Sequence, residues 1–224
     1  MKPEIFADKI LIWLGSFPVT VTMVTSLAVT IVLLVAGVWL ARSVSRGGEG
    51  RAAALGRMAF GALRSLVSEA AGQSSPTLEA FAGGLFLFIA GSAVAAQLPG
   101  VTAPTSNLGA ASALAVLVFV AVPIAGIRAQ GVRGYFGHYF KPNPILFPMH
   151  VVSELSRTVA LALRLFGNMM SGHLVVGLIV ALVGFFLPVP LMALDLVIGL
   201  LQAYIFTILA CVYIGAAMRV GEER

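Results

Sequence analysis

The chain has 224 residues, of which 59% are apolar and 10% charged, with a formal net charge of +5. A soluble domain carries about 25% charged residues, so this composition excludes an ordinary soluble protein. The basic residues sit at the ends of apolar segments and form no patch interleaved with stacking aromatics, which excludes nucleic acid as the partner. Lys9 to Arg42 encloses 32 uncharged residues, Glu79 to Arg128 encloses 48, and Asp195 to Arg219 encloses 23. About 20 apolar residues cross a hydrocarbon core of about 30 Å, so the first and third runs each fit one span and the second fits two. The first run is too long for a signal-peptide core and lacks a small-x-small cleavage pattern. The one cysteine, Cys211, allows no intrachain disulfide and reads as a small packing residue.

The first spanning helix is expected over 19–41, with Trp13 and Trp39 as interface anchors. A Gly-rich linker with Arg42, Arg46 and Arg51 follows. Residues 52–72 read as an amphipathic helix lying on the membrane surface. Leu55, Ala59, Ala62, Leu63, Leu66 and Ala70 form its apolar face, with Arg57 and Arg64 opposite. A helical hairpin follows, with arms 77–97 and 108–127. Pro76 opens it and Pro99-Gly100 and Pro104 mark its turn. Gly83, Gly84 and Gly91 suit close helix packing. Arg128 to Pro148 reads as an irregular loop. A long hairpin closes the chain, with arms 149–184 and 191–219 about a turn at Pro188 and Pro190. The expected fold is thus a single all-α membrane domain, 1–224, of five transmembrane helices plus one surface helix, ending in a long tilted antiparallel hairpin.

The lysines and arginines number two in the N-terminal tail, five in the linker and surface helix, none in 98–107, four in 128–157, none in 185–190 and two in the C-terminal tail. By the positive-inside rule the rich loops and the C-terminus are cytoplasmic and the N-terminus periplasmic.

Charge inside a span costs about 2.5–3.5 kcal/mol at the helix centre, and its default reading is functional. Arg164 and Asp195 are two such groups, and the alternative reading is that they form a buried structural pair. Asn168 lies four residues after Arg164, on the same face. His173 lies nine residues on, half a turn round and about 13.5 Å along. On the last helix Asp195 and Gln202 share a face. Pairing Arg164 with Gln202 centres the antiparallel hairpin at residue 183, and pairing His173 with Asp195 centres it at 184, so one register serves both. His173 and Asp195 form a candidate proton relay, since an imidazole titrates near neutral pH. The alternative for His173 is a hydrogen bond to a backbone carbonyl. Glu154 and Arg157 either flank an ion path or form an ordinary interfacial pair. His138 and His150 read as solvent or interface residues. No histidines and carboxylates have metal-site spacing.

The run from Ser156 to Gly172, with Leu163-Arg164-Leu165-Phe166-Gly167-Asn168 at its heart, resembles the signature of subunit a of F-type rotary ATP synthases. Leu201-Gln202-Ala203-Tyr204-Ile205-Phe206 is similar to that family's second signature, on its last helix. The resemblance is strongest over 150–220 and implies a compact, divergent bacterial form in the inner membrane. It implies a non-catalytic stator subunit, without cofactor or metal. Two half-channels would carry protons, or sodium in a close variant, to and from the carboxylates of a rotating ring of subunit c. Peripheral-stalk subunit b and the lipid bilayer are the other implied partners. Arg164 matches the family's essential ion-translocation arginine, with Asn168 and Gln202 beside it. His173 and Asp195 would line the outer half-channel, with the two residue types exchanged relative to many bacterial members, and Glu154 and Arg157 the inner one. Two departures stand out: Ala160 replaces a small polar residue four before the arginine, and the third helix ends Ala93-Val94-Ala95-Ala96-Gln97-Leu98-Pro99, without the Asn or Asp common before that proline. A self-contained secondary transporter is the alternative, but it predicts repeated halves with broken helices, and the sequence shows no such symmetry.

Overall fold

The computed structural model describes residues 10–14, 17–45, 50–73, 75–98, 104–139, 147–183 and 188–219. Strands β1 (Ile10–Leu14) and β2 (Phe17–Thr20) precede helices α1 (Val21–Ser45), α2 (Arg51–Ala71), α3 (Pro76–Ala95), α4 (Leu108–Tyr139), α5 (Phe147–Val183) and α6 (Pro188–Arg219), with a 3-10 turn at Pro104–Ser106 before α4. The protein is an all-α membrane protein. Its short hairpin of β1 and β2, paired antiparallel from Leu14↔Phe17 to Ile10↔Thr20 with an irregularity between Ile10 and Ile12, is an addition that the helical reading did not contain. It takes the first two residues expected in the first span, so α1 starts at Val21. The Trp13 side chain lies outside the described residues, while Trp39 is exposed.

Among the described residues, four helical stretches are long and apolar enough to cross a membrane: Pro76–Ala95, Leu108–Val132, Val152–Leu182 and Pro188–Arg219. A shorter apolar stretch, Met23–Trp39, lies within α1. Leu27, Val32, Leu34 and Val35 of α1 are more than 60% exposed, as a lipid-facing helix requires. Two of its hydroxyls are satisfied locally: those of Thr25 and Thr30 donate to the carbonyls of Val21 and Ser26 at 3.1 and 2.8 Å. No water in a hydrocarbon core could serve them.

Helix α2 ends at Gly72, whose φ of 70° lets its N–H return to Ser68 O, the left-handed closure that glycine makes without a Cβ penalty. Its faces differ from the expected ones. Ala53, Val67 and Ala71 are buried, with Leu63, Leu66 and Ala70 packed beside them. Leu55, Ala59 and Ala62 stay exposed, joined by Met58. Half of the expected apolar stripe therefore packs on α3 and α6 and half is left for the membrane surface. Arg64 pairs with the buried Glu79 at the start of α3, 3.5 Å away. Helix α3 opens on Ser75, whose side chain accepts from the Leu78 N–H, with Pro76 in the first turn. Both suit the free N–H groups of a helix start. Gly83 receives Leu63 of α2 and Gly91 receives Leu33 of α1, whereas Gly84 faces no neighbour.

Helix α4 corrects the expected end at 127 and the irregular loop after it. The chain is helical to Tyr139 except at Gly131, φ 75° and ψ 162°, and residues 140–146 of the expected loop lie outside the described residues. Glycine takes that conformation without the Cβ clash other residues meet, so α4 is two helical segments joined across a kink at residue 131. Helices α5 and α6, 37 and 32 residues long, would reach about 55 and 48 Å at about 1.5 Å per residue. Both exceed the hydrocarbon thickness, an excess that tilt or protrusion absorbs. One apolar core joins Ile89 and Ala93 of α3, Ala111, Ala115 and Val118 of α4, Leu161, Leu165 and Met169 of α5, and Ala203, Phe206 and Ala210 of α6.

Candidate ion-path hairpin

Three contacts fix how α5 meets α6. The Asp195 carboxylate lies in the space a side chain on Gly172 would fill. A Cβ on Gly199 would stand 3.4 Å from Met169 Cε and 2.6 Å from Ala93 Cβ, so α3, α5 and α6 meet there. Further along, the Arg157 guanidinium stacks over the Tyr213 ring, 4.2 Å from its centroid. The first two pairs are centred between residues 183 and 184 and on 184, the register expected from the charge spacing. Small residues permit it, since Gly172 and Gly199 remove the side chains that would hold the helices apart.

Arg164 lies on the exposed side of α5, between exposed Leu163 and fully buried Leu165. Among the described residues no hydrogen bond or ion pair engages its guanidinium. Asn168 follows one turn on, half-buried, and its carbonyl accepts from the Ser171 hydroxyl at 3.0 Å. Ala160, Gly167 and Ser171 are exposed around them, so the arginine projects from a strip of small side chains. A second body could approach that strip closely.

Gln202 lies at nearly the same depth on α6 but faces inward, 5% exposed. Its Nε2 is buried and has no hydrogen-bond partner. The structure therefore places Arg164 and Gln202 at one level without bonding them. Asp195 is half-buried against Gly172, the residue just before His173. The side chains of His173, His138 and His150 lie outside the described residues. Asp195 and Arg164 are not paired, since the carboxylate meets α5 about 12 Å further along, eight residues at about 1.5 Å each.

Glu154 and Arg157 form an ion pair of 3.3 Å with side chains 23% and 37% exposed, and Arg157 adds the Tyr213 ring. Sequence reasoning missed Tyr213 and Gly172. The spacing could have found Gly172, because any register that brings residue 173 to Asp195 also brings residue 172 there. The far end of α6 is tied down separately. Arg219 Nη2 donates to Ala71 O at 2.6 Å, filling the space beside Gly72, and Gln130 Nε2 donates to Ala217 O at 2.7 Å.

A family model described as ATP synthase A chain matches residues 21–215. Among curated proteins, "ATP synthase subunit a 2" of a Bradyrhizobium species is 40% identical over 227 residues, covering 97% of each chain. "ATP synthase subunit a 1" of Chlorobium luteolum is 40% identical over 218 residues, covering 96% of this chain and 98% of the relative. "ATP synthase subunit a 2" of a Picosynechococcus species is 48% identical over 158 residues, 70% of this chain and 68% of the relative.

Proposed function

The chain belongs to the ATP synthase A chain family, and from that premise we propose that it is the stator through which protons pass to and from a rotating ring of membrane-embedded carboxylates. The observation that carries this reading is Arg164: a permanent charge on an apolar spanning helix, turned outward, with no counter-charge in this chain among the described residues. An unpaired charge in a membrane is costly, so its partner belongs to another subunit. A guanidinium stays protonated at any working pH. Beside a ring carboxylate it favours the ionised form and lowers that group's pKa, which releases the carried proton into the exit path. It also repels a proton slipping directly between the two paths. The driving force is about 2.3 kcal/mol per charge per 100 mV.

Asp195, with His173 next to Gly172, relays protons in the outer half-channel, and Gln202 lies further in. Glu154 and Arg157 flank the inner half-channel. The N-terminus is periplasmic and the C-terminus cytoplasmic. The subunit is non-catalytic and needs no cofactor. It works against the ring of subunit c and beside subunit b in the bacterial inner membrane. An imidazole–carboxylate relay favours protons over sodium, and proton pumping that persists in sodium-free buffer distinguishes the two.

Cross-linking tests the docking face. In the assembled complex with Cys211→Ala, a Ser171→Cys chain should form a disulfide with a cysteine placed beside the ring carboxylate. Adducts from Val159→Cys, exposed on another face of α5, and none from Ser171→Cys would overturn the reading.

A further inference from the structure

Buried polar groups in native proteins are almost always hydrogen-bonded, to protein or to ordered water. The buried polar or charged residues described here are Glu79, Ser92, Thr105, Gln202 and Thr207. Glu79 pairs with Arg64, the Ser92 hydroxyl donates to Phe88 O at 2.7 Å, and the Thr207 hydroxyl donates to Ala203 O at 2.8 Å. Two buried side-chain atoms remain without a protein partner: Gln202 Nε2 and Thr105 Oγ1. Thr105 is 0% exposed and sits in the 3-10 turn between α3 and α4, a segment the proposed ion path does not use.

The packing places this turn at the Asp195 end of the hairpin. Ala93, two residues before the end of α3, meets Gly199, which also meets Met169. Gly172 and Asp195 meet about one turn beyond that level. The chain leaving α3 passes Thr105 on its way into α4, and the turn packs against α5 as well as α3 and α4. An unpartnered hydroxyl is thereby held against α5 at the end where Asp195 faces Gly172. Gln202, the other unpartnered group, lies two turns of α6 inward from Asp195. Between them on α6 lies Gly199, which meets Ala93 of α3. The end of α3, Ala93-Val94-Ala95-Ala96, is apolar, and polar residues return at Gln97 and in the turn that follows.

We propose that Thr105 is a water-holding positioning residue of the outer half-channel, its hydroxyl anchoring ordered water that continues past Asp195 to Gln202. A hydroxyl both donates and accepts, so it orients a bridging water whichever way the chain of hydrogen bonds runs. Water needs two to four polar partners at such a site, and the hydroxyl and the backbone carbonyls of a 3-10 turn supply them. This rests on the stator reading above.

The test uses the assembled complex in liposomes. Thr105→Val keeps the shape and removes the hydroxyl, while Thr105→Ser keeps the hydroxyl. The expected result is ATP-driven proton pumping lowered at least about tenfold by valine, which corresponds to about 1.4 kcal/mol, with serine near the parent rate. If Thr105 only fills space, valine works as well as threonine, which overturns the proposal. Independently, a Thr105→Cys chain in the Cys211→Ala background should react with a small hydrophilic methanethiosulfonate added on the periplasmic side. A thiol that stays unmodified there means the turn is dry and also overturns the proposal. Arg164→Ala separates the two levels of failure. Pumping by that variant refutes the stator reading itself, whereas lost pumping there with normal pumping by Thr105→Val refutes only the role of Thr105.

Discussion

The carboxylate of Asp195 occupies the volume that a side chain on Gly172 would need. This contact sets the depth at which the charge of α6 meets α5, next to His173 and about two turns of helix from Arg164. A methyl group at residue 172 must push the carboxylate away or part the helices, at a cost of about 1–3 kcal/mol. Gly172→Ala should therefore slow proton pumping by at least about tenfold, which corresponds to about 1.4 kcal/mol. Gly177→Ala, at a glycine with no neighbour within 4 Å, should leave it unchanged. Equal pumping by the two variants would mean that the position of Asp195 is immaterial to transport.

Gln202 presents stability and function pulling apart. Its buried Nε2 has no protein partner among the described residues, so removing it forfeits no protein hydrogen bond. Gln202→Leu should hold or raise the thermal midpoint of the complex in detergent while lowering pumping at least about tenfold. Loss of both together would assign Gln202 to packing alone.

Arg219 closes the end of α2 against α6. Its charged hydrogen bond to Ala71 O is of the class contributing about 1.5–3 kcal/mol, and cations suit helix C-termini. Arg219→Ala should lower the thermal midpoint, and Gly72→Ala should do so too, because residue 72 has φ +70° and a Cβ there would overlap the guanidinium. Gly61→Ala, inside α2 with open space around it, should instead stabilise by about 0.5–1 kcal/mol. Thermal denaturation of the three variants checks the order.

The helices were legible because charge and proline punctuate the sequence sparsely: Pro76, Pro188 and the uncharged runs mark α3, α6 and the spans between. The hairpin register was legible because only a few charged or amide side chains interrupt α5 and α6. Three features were not. The start of the chain contains Gly15-Ser16 between two apolar runs, a hairpin signal that the hydropathy of the adjoining span outweighed. Helix α4 resumes after a kink at Gly131, where glycine and nearby arginines read as the start of a loop although helix continues on the far side. On α2 the apolar residues cover a wide arc, so periodicity could not say which half meets protein and which meets lipid. At the site, Arg164, Asp195 and Gln202 stood out by the cost of polarity in a membrane. Thr105 did not, because a threonine in a Pro-Thr-Ser turn is ordinary until its burial is seen.

ATP-driven proton pumping by the reconstituted complex carrying Arg164→Ala tests the account most directly. An arginine that serves only as counter-charge to a passing carboxylate has no substitute in this chain. The account predicts no pumping above the uncoupled background while ATP hydrolysis by the catalytic head continues. Pumping at the parent rate would contradict it.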